Sequence, residues 1–597
     1  MPKSVASIAG MLLTGLMTLC LSGCGADPGE AAPAAPPSGG PGTSAPPAPP
    51  APPAPGGTTG AAPLAVSTIS LPAGSVHAFY SVRLQSRGGI APVTWALAGT
   101  LPAGMSLDPA GLIAGTPTAA GSTDFAVTAT DSGTPVQQVT QALNVAITAA
   151  DASHNSTLKG RYAFVATGYR PLSPRFFPVR IQTAIGMSFI ADGNGNVTSV
   201  VIDTISPNGL ATTQAADGFY VVGSDNRGVL GITTATGTAS FRFSVGSISA
   251  EGIATKGRVV SPSGEAGELD LQDPAAFTNG ALGGSFAFGL AGAELNRAFG
   301  ANGVIGFDGA GNIPAGRVDV AHAAGFSPDL PVTGTYFVGS EDAGGRGTAK
   351  LLLPATTLDM ILYVVSANKV LLLGTQQGNK FFAFTGEAHR QSQPTFDAGS
   401  LRGTSVLAAH RGSSVVGGIA TFDGTGGVSF LEDRNDAGRI TLAATSSGTY
   451  LVSGEGHAVL TIAGSVVSSI YLVEAGAGFL LYADSRSGLI ERQAAGSFSA
   501  SSLEGTFALG SLPPPVFGAV SGVANASTGT FQESIDVTRS GAPPQHVATT
   551  DSFTVASNGR VTTASGLQAM YLVSPRKLVL IDLNPVDDLP GIMIAEQ

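Results

Sequence analysis

Apolar and polar residues alternate in short runs from about residue 64 to the end of the chain. Between 64 and 149 the runs are HAFYSVRLQ, VTWALAG, TDFAVTATD and TQALNVAIT, separated by RGGIAP, LPAGMSLDPAG and AGTPTAAGS. Alternation at period two places successive side chains on opposite faces of a strand. Turn signals at roughly 8–12-residue spacing then predict an antiparallel sandwich. The only Trp of the chain, Trp95, lies in one of these strands and is expected in the core.

From 155 onward the alternation continues and its order repeats. Four segments open alike: Leu158-Lys-Gly-Arg-Tyr-Ala-Phe164, Leu282-Gly-Gly-Ser-Phe-Ala-Phe288, Leu401-Arg-Gly-Thr-Ser-Val-Leu407 and Leu503-Glu-Gly-Thr-Phe-Ala-Leu509. Three openings share a run-in of Gln, then Phe, then Leu at fixed spacing: Gln272/Phe277/Leu282, Gln391/Phe396/Leu401 and Gln493/Phe498/Leu503. A Gly-x-aromatic strand follows at Tyr220, Tyr336 and Tyr450, with Phe553 in that role last. An apolar strand pair begins at Tyr363, Tyr471 and Tyr571, with FRFSV from Phe241 as the first copy's nearest equivalent. The copies span 155–278, 279–397, 398–499 and 500–597.

In the first copy, strands are predicted near 160–167, 185–191, 196–205, 217–223, 228–235, 239–246, 254–260 and 265–272. Eight short strands joined by tight turns describe an up-and-down meander, closed into a small barrel or left as a half-open sheet on its neighbour. The run LLLPATTLDMILYVVSANKVLLL at 351–373 has the length of a membrane helix. Pro354, Asp359 and Lys369 interrupt it, and its period fits two buried strands.

Composition supports strands and turns. Of 597 residues, 82 are Gly, and charged residues make up 12%, about half the usual share. Net charge is −11 and no Lys/Arg run occurs, so nucleic acid is excluded as an expected partner.

The front of the chain carries an address. Residues 1–24, MPKSVASIAGMLLTGLMTLCLSGC, have one Lys, an uncharged apolar run and small residues, as a signal peptide does. Leu21-Ser22-Gly23-Cys24 resembles the bacterial lipobox. That resemblance implies cleavage before Cys24 and lipidation of Cys24, which anchors the chain to a membrane. Gly25, not Asp, follows, so the expected location is the bacterial cell envelope, at the outer membrane or cell surface. Cys20 leaves with the leader, so the mature chain has no disulfide. Residues 25–63 are a Pro-rich linker that would reach roughly 120 Å if fully extended.

Within 64–149, the segments Trp95-x-Leu97, Leu101-Pro102-x-Gly104, Gly111-Leu112-Ile113-x-Gly115-Thr116-Pro117 and Val127-Thr-x-x-Asp131 are similar to the bacterial putative Ig family of the dystroglycan/cadherin-like type. The resemblance implies an Ig-like sandwich in an extracellular protein, often an adhesin or a spacer. The fold class is therefore all-β: an Ig-like β-sandwich followed by four antiparallel β-meander repeats. Relatives of the cadherin-like group bind calcium, and Asp131 matches one acid of that scheme; the other acidic ligand motifs are missing.

A second calcium candidate is Asp192-Gly-Asn-Gly-Asn196, where Asp192, Asn194 and Asn196 present oxygens at alternate positions. Its counterparts are Asp308-Gly-Ala-Gly-Asn312, Asp423-Gly-Thr-Gly-Gly427 and Asn525-Ala-Ser-Thr-Gly529. The candidate ligands do not persist among them, whereas the requirements of a hairpin turn do. A further acid, Asp203, recurs at the same offset as Asp319 and Asp536, and suits either a cap or pair within its hairpin or a ligand contact.

Neither cofactor nor enzymatic activity is expected. The seven histidines do not recur at one repeat position, and His-Glu-x-x-His, Gly-x-Ser-x-Gly and Gly-Lys-Ser/Thr motifs are missing. Two functions fit. One is a surface lipoprotein with a structural, adhesive or binding role toward a glycan, protein or small ligand. The other is a small-molecule carrier with a cavity inside each barrel, lined by Tyr162, Phe164, Tyr220 and their equivalents. A transmembrane barrel conflicts with a lipid anchor on a long linker.

Overall fold

A computed structural model of the chain describes residues 62–77, 80–171, 180–206, 209–234, 237–294, 297–322, 325–375, 382–513, 519–539, 542–585 and 591–597. The predicted signal peptide, Cys24 and nearly all of the Pro-rich linker lie outside the described residues.

The fold is all-β, as the alternation predicts. Residues 62–149 form a small sandwich. One sheet has the order Gly74–Ser75, Gln138–Thr148, Gly121–Thr130, Thr94–Ala98; the other has Tyr80–Arg83, Leu112–Gly115, Met105–Leu107. Trp95, Ile113, Val127 and Val145 meet in its core. Gly111, at φ +86°, brings its backbone against the indole, and a Cβ there would lie 2.6 Å from Trp95 Nε1.

The first repeat closes into an eight-stranded antiparallel barrel: Lys159–Pro171, Arg180–Asp192, Asn196–Ser206, Gly209–Val222, Arg227–Thr234, Gly237–Ile248, Ala254–Val260 and Ala266–Leu271. These are the eight strands predicted for this copy. The third and fourth repeats close in the same way. In the second repeat, the third and fourth strands are each broken in two. Asn312–Ile313 pairs with Thr333–Val338 and Ala315–His322 with Gly325–Pro331, while Val332 N–H donates to Gly316 O between them. The ladder therefore runs through the break, and the second repeat completes the same circuit. The apolar run at 351–373 is not helical: it falls in the strands Arg346–Leu352, Thr357–Ser366 and Lys369–Gly374, joined by turns at 353–356 and 367–368. Among the described residues no helix is long and apolar enough to cross a membrane.

The repeated sequence features have local causes. The Gly of each opening, Gly160, Gly284, Gly403 and Gly505, has φ between +108° and +124°, a conformation that admits Gly and few other residues. Leu158, Leu282, Leu401 and Leu503 are fully buried in the cores of their own barrels. The hydroxyls of Tyr220, Tyr336 and Tyr450 donate to carbonyls of the same opening turn: Asn155 and Leu158, Asn279, and Ala398. Phe553 fills the fourth position without that bond.

The barrels pack in a closed circuit. The first two strands of each lie against the last three of the next, and those of the fourth barrel lie against the last three of the first. These strands are buried on both faces and read as nearly continuous apolar runs, whereas strands facing solvent alternate. In the first strand, Tyr162 and Phe164 enter the barrel interior, while Ala163 and Val165 enter the joint with Tyr363 and Leu371 of the second barrel.

Candidate functional site

The loop Asp192–Asn196 is a tight turn between two strands. Asp192 Oδ1 accepts from Asn194 N–H at 2.7 Å and Asn196 N–H at 3.0 Å, and Oδ2 accepts from Asn196 Nδ2 at 2.7 Å. The Asn196 amide and these backbone donors hold the Asp192 pKa down at about 2. Asn194 and Asn196 therefore serve the turn. Asp308 and Asp423 accept the same backbone bonds in their copies. Asp131 is buried in the sandwich. It accepts from Gln137 N–H at 2.7 Å, Ile90 N–H at 3.0 Å and Gly133 N–H at 3.3 Å, and these donors, Gln137 foremost, lower its pKa. Asp131 and Asp192 thus lie in different domains, and each carboxylate is engaged by its own loop. Among the described residues no group of three or more His, Cys, Asp or Glu side chains is arranged to hold a metal ion.

The chemistry of the repeats concentrates at the joints. Asp203 of the first barrel is fully buried and reaches across to the second. It accepts from Arg346 Nε at 2.6 Å, Arg346 Nη2 at 3.0 Å and Tyr363 Oη at 2.5 Å, and locally from Thr212 Oγ1 at 2.5 Å. Burial, and then the Asp203 charge, push the Tyr363 hydroxyl well above its ordinary pKa. Asp433 of the third barrel meets Arg560 (2.7 and 2.8 Å) and Tyr571 of the fourth in the same geometry. At the joint of barrels two and three, His457 replaces the Arg. Its Nε2 lies 2.8 Å from Asp319 Oδ2, and its ring stacks on Tyr471 with centroids 4.5 Å apart. Burial opposes ionisation of Asp319, but the His457 hydrogen bond and charge hold its pKa below the usual range. Asp536 of the fourth barrel faces Arg242 at 3.3 Å and Arg227 at 3.9 Å, both of the first barrel. The recurrent acid is thus a docking residue in every copy.

The run-in residues belong to the same joints. Gln272 donates to Gly344 O at 3.0 Å and Val364 O at 2.6 Å. Gln391 donates to Glu455 O and Leu472 O, and Gln493 to Asn558 O and Leu572 O. Each Gln thereby ties the end of one barrel to backbone carbonyls of the next. Phe277, Phe396 and Phe498 then join the apolar cores of the barrels they introduce.

A second ionic layer lies where all four barrels meet. Lys369 Nζ is shared by Glu268 at 2.8 Å, Asp270 at 2.9 Å and Glu387 at 3.2 Å. Arg258 bridges Glu268 at 2.7 Å and Glu596 at 3.7 Å, and Lys256 lies 3.6 Å from each of the same two acids. His389 Nε2 is 3.2 Å from Glu387. Of the three acids Asp270 is the buried one, and it shares its ammonium with two others. Burial accordingly raises the Asp270 pKa to about 6, against the pull of Lys369. A pocket of about 140 Å³ opens beside this network, with walls from every barrel, among them Val165, Leu371, Leu489 and Leu512. The barrel interiors are filled instead: Tyr162, Phe164 and Tyr220 pack with Phe189, Phe241 and Leu269.

Sequence reasoning did not single out the basic partners, although their signal is present. Arg227, Arg346, His457 and Arg560 each follow a positive-φ Asn or Gly, namely Asn226, Gly345, Gly456 and Gly559. Lys256, Lys369 and Lys577 also occupy one repeat position, opposite Asp270, His389 and Glu596 on the eighth strand.

Residues 62–148 match the family described as "Putative Ig domain", in agreement with the motifs around Trp95. A comparison with curated proteins finds no match. Among solved structures, the chain aligns with the isotype 1 transferrin binding protein B from serogroup B Neisseria meningitidis at 9% identity. The alignment covers 73% of this chain and 99% of that one, with a TM-score of 0.17, too low to transfer a fold or a function.

Proposed function

We propose that this protein is a lipid-anchored component of the bacterial cell envelope, without enzymatic activity, that presents a rigid ring of β-barrels as a structural, adhesive or binding head. The observation that carries this reading is the assignment of the recurrent polar residues. Asp, Arg or His, Tyr and Gln at the three joints of consecutive barrels, and Asp536 with Arg227 and Arg242 at the closing one, are spent on fastening one barrel to the next. The barrel interiors are packed with aromatic and aliphatic side chains, so recognition falls to exterior surfaces and to the junctions between barrels. The leader, Cys24 and the Pro-rich linker would hold this head away from a membrane, with the Ig-like sandwich as spacer. The carrier reading loses its support because Tyr162, Phe164 and Tyr220 fill a core in place of lining a cavity.

The test is expression in a bacterium with the native leader. The expected result is a diacyl or triacyl modification on Cys24 by mass spectrometry, cleavage of the head by protease added to intact cells, and release of Cys24→Ala protein into the soluble fraction. An unmodified Cys24, or a head protected from protease on intact cells, would refute surface anchoring.

A further inference from the structure

The axial pocket departs from the fourfold pattern of the ring in a way that the joints do not require. On the eighth strands, register with the first strands makes Glu268, Glu387, Leu489 and Ile594 equivalent. On the seventh strands, their cross-strand neighbours are Arg258, Leu371, Phe479 and Val579. At the eighth-strand position barrels one and two thus supply an acid, and barrels three and four an apolar residue. The pocket lining is amphipathic, with Arg258, Glu268 and Glu387 beside Phe479 and Leu489 and the apolar Val165 and Leu371.

The charge around it is unbalanced. Among the described residues three fixed cations, Lys256, Arg258 and Lys369, serve four carboxylates, Glu268, Asp270, Glu387 and Glu596, with His389 the only further base in contact. Thr385 lines the same space. It is 5% exposed, and its hydroxyl has no hydrogen-bond partner among the described residues. The volume, about 140 Å³, is close to that of a protein cavity of about 150 Å³ that accommodates benzene.

We propose that the axial pocket binds a small organic monocation: an amine on an apolar body of about one ring, with the ammonium toward Glu387 and Thr385 and the body against Phe479 and Leu489. This site lies between barrels, is separate from the exterior surfaces considered above, and depends on neither lipidation nor location. The ammonium supplies the missing positive charge, and the ring fills the apolar half.

The test uses the whole folded chain at pH 7.5, with benzylamine as probe and benzyl alcohol and benzoate as isosteric controls, read by calorimetry and by protein-observed NMR. Benzylamine is expected to bind at least tenfold more tightly than either control. Glu387→Gln is expected to weaken it about tenfold, and Thr385→Val severalfold, with circular dichroism unchanged. Equal binding of benzyl alcohol, or no binding of benzylamine to folded wild-type protein, would overturn the proposal. The wild-type comparison decides the matter even if Glu387→Gln disturbs the ring.

Discussion

Removing the Asp203 carboxylate should open the joint between the first and second barrels without unfolding either. Asp203→Ala deletes the acceptor of two Arg346 bonds and of the Tyr363 and Thr212 hydroxyls, in a site where the aspartate is fully buried. Breaking one side of a buried pair costs about 3–5 kcal/mol, because the remaining charge and hydroxyl stay desolvated. Arg346 retains about a quarter of its exposure and can partly rehydrate, so the lower end, about 3 kcal/mol, is expected. Global unfolding of a five-domain chain is not two-state, so the readout should be local. Hydrogen exchange in the strands Asn196–Ser206 and Arg346–Leu352 would report opening of this joint directly. A double-mutant cycle with Arg346→Ala should return a coupling of about 2 kcal/mol between the two residues. A coupling below about 0.5 kcal/mol would mean that the pair contributes little. The recurrent acid would then not be a docking residue.

Other perturbations separate packing, titration and turn chemistry. Gly289→Val should destabilise the joint of barrels two and three by about 1–3 kcal/mol, since a Cβ there lies 2.5 Å from Phe479 Cδ1; Phe479→Ala should partly rescue it in a thermal melt. His410 is buried with Nε2 3.1 Å from Pro513 O, and burial lowers its pKa to about 4. The unfolded chain therefore takes up this proton first as pH falls. Stability is complete above about 6.5 and lost toward 4, by up to about 3 kcal/mol, and His410→Gln should flatten that part of a urea-midpoint profile. Because the Asp192 oxygens are occupied by their own turn, melting midpoints in calcium and in chelator should agree within about a degree.

The strands and the repeat were legible because both rest on local rules. Period-two alternation, the Leu-x-Gly opening and the Asp-Gly turns each report a constraint within one hairpin. The joints were less legible, since they pair residues more than 100 positions apart, as Asp203 with Arg346 and Asp433 with Arg560. Asp433 escaped the comparison of copies because it lies ten residues after its turn acid Asp423, whereas Asp203 and Asp319 lie eleven after Asp192 and Asp308. Register resolves the difference, since Asp203 faces Gly186 and Asp433 faces the equivalent Gly417. Both glycines make room for a tyrosine of the following barrel, with a Cβ at Gly186 only 2.5 Å from the Tyr363 ring. The axial pocket was invisible in the sequence because it is defined by differences between aligned copies, and these become legible only once the copies surround one axis.

The four joints are not equal, and their differences predict where the ring opens. Among the described residues, the joint of barrels one and two buries a cluster of ten apolar residues and that of three and four a cluster of twelve; the joint of two and three has four, and the joint of four and one has three, Val260, Ala266 and Ala519. The last is also the only joint between barrels that are not consecutive along the chain. It has no Gln run-in and closes through Asp536 with Arg227 and Arg242, Glu596 with Lys256 and Arg258, and Ser521 donating to Arg258 O at 2.9 Å. Hydrophobic contacts keep their strength in salt, while partly exposed ion pairs are screened over about 10 Å at 0.1 M and about 3 Å at 1 M. Rising salt should therefore loosen the closing joint first. Amide protection should fall in Ala254–Val260 and Ala519–Ser527 while Thr357–Ser366 and Gln568–Ser574, which sit in the two apolar joints, keep theirs. Loss of protection in the apolar joints before the closing one would show that the ring is held by its charges throughout, and that the uneven division of apolar contacts carries no energetic consequence.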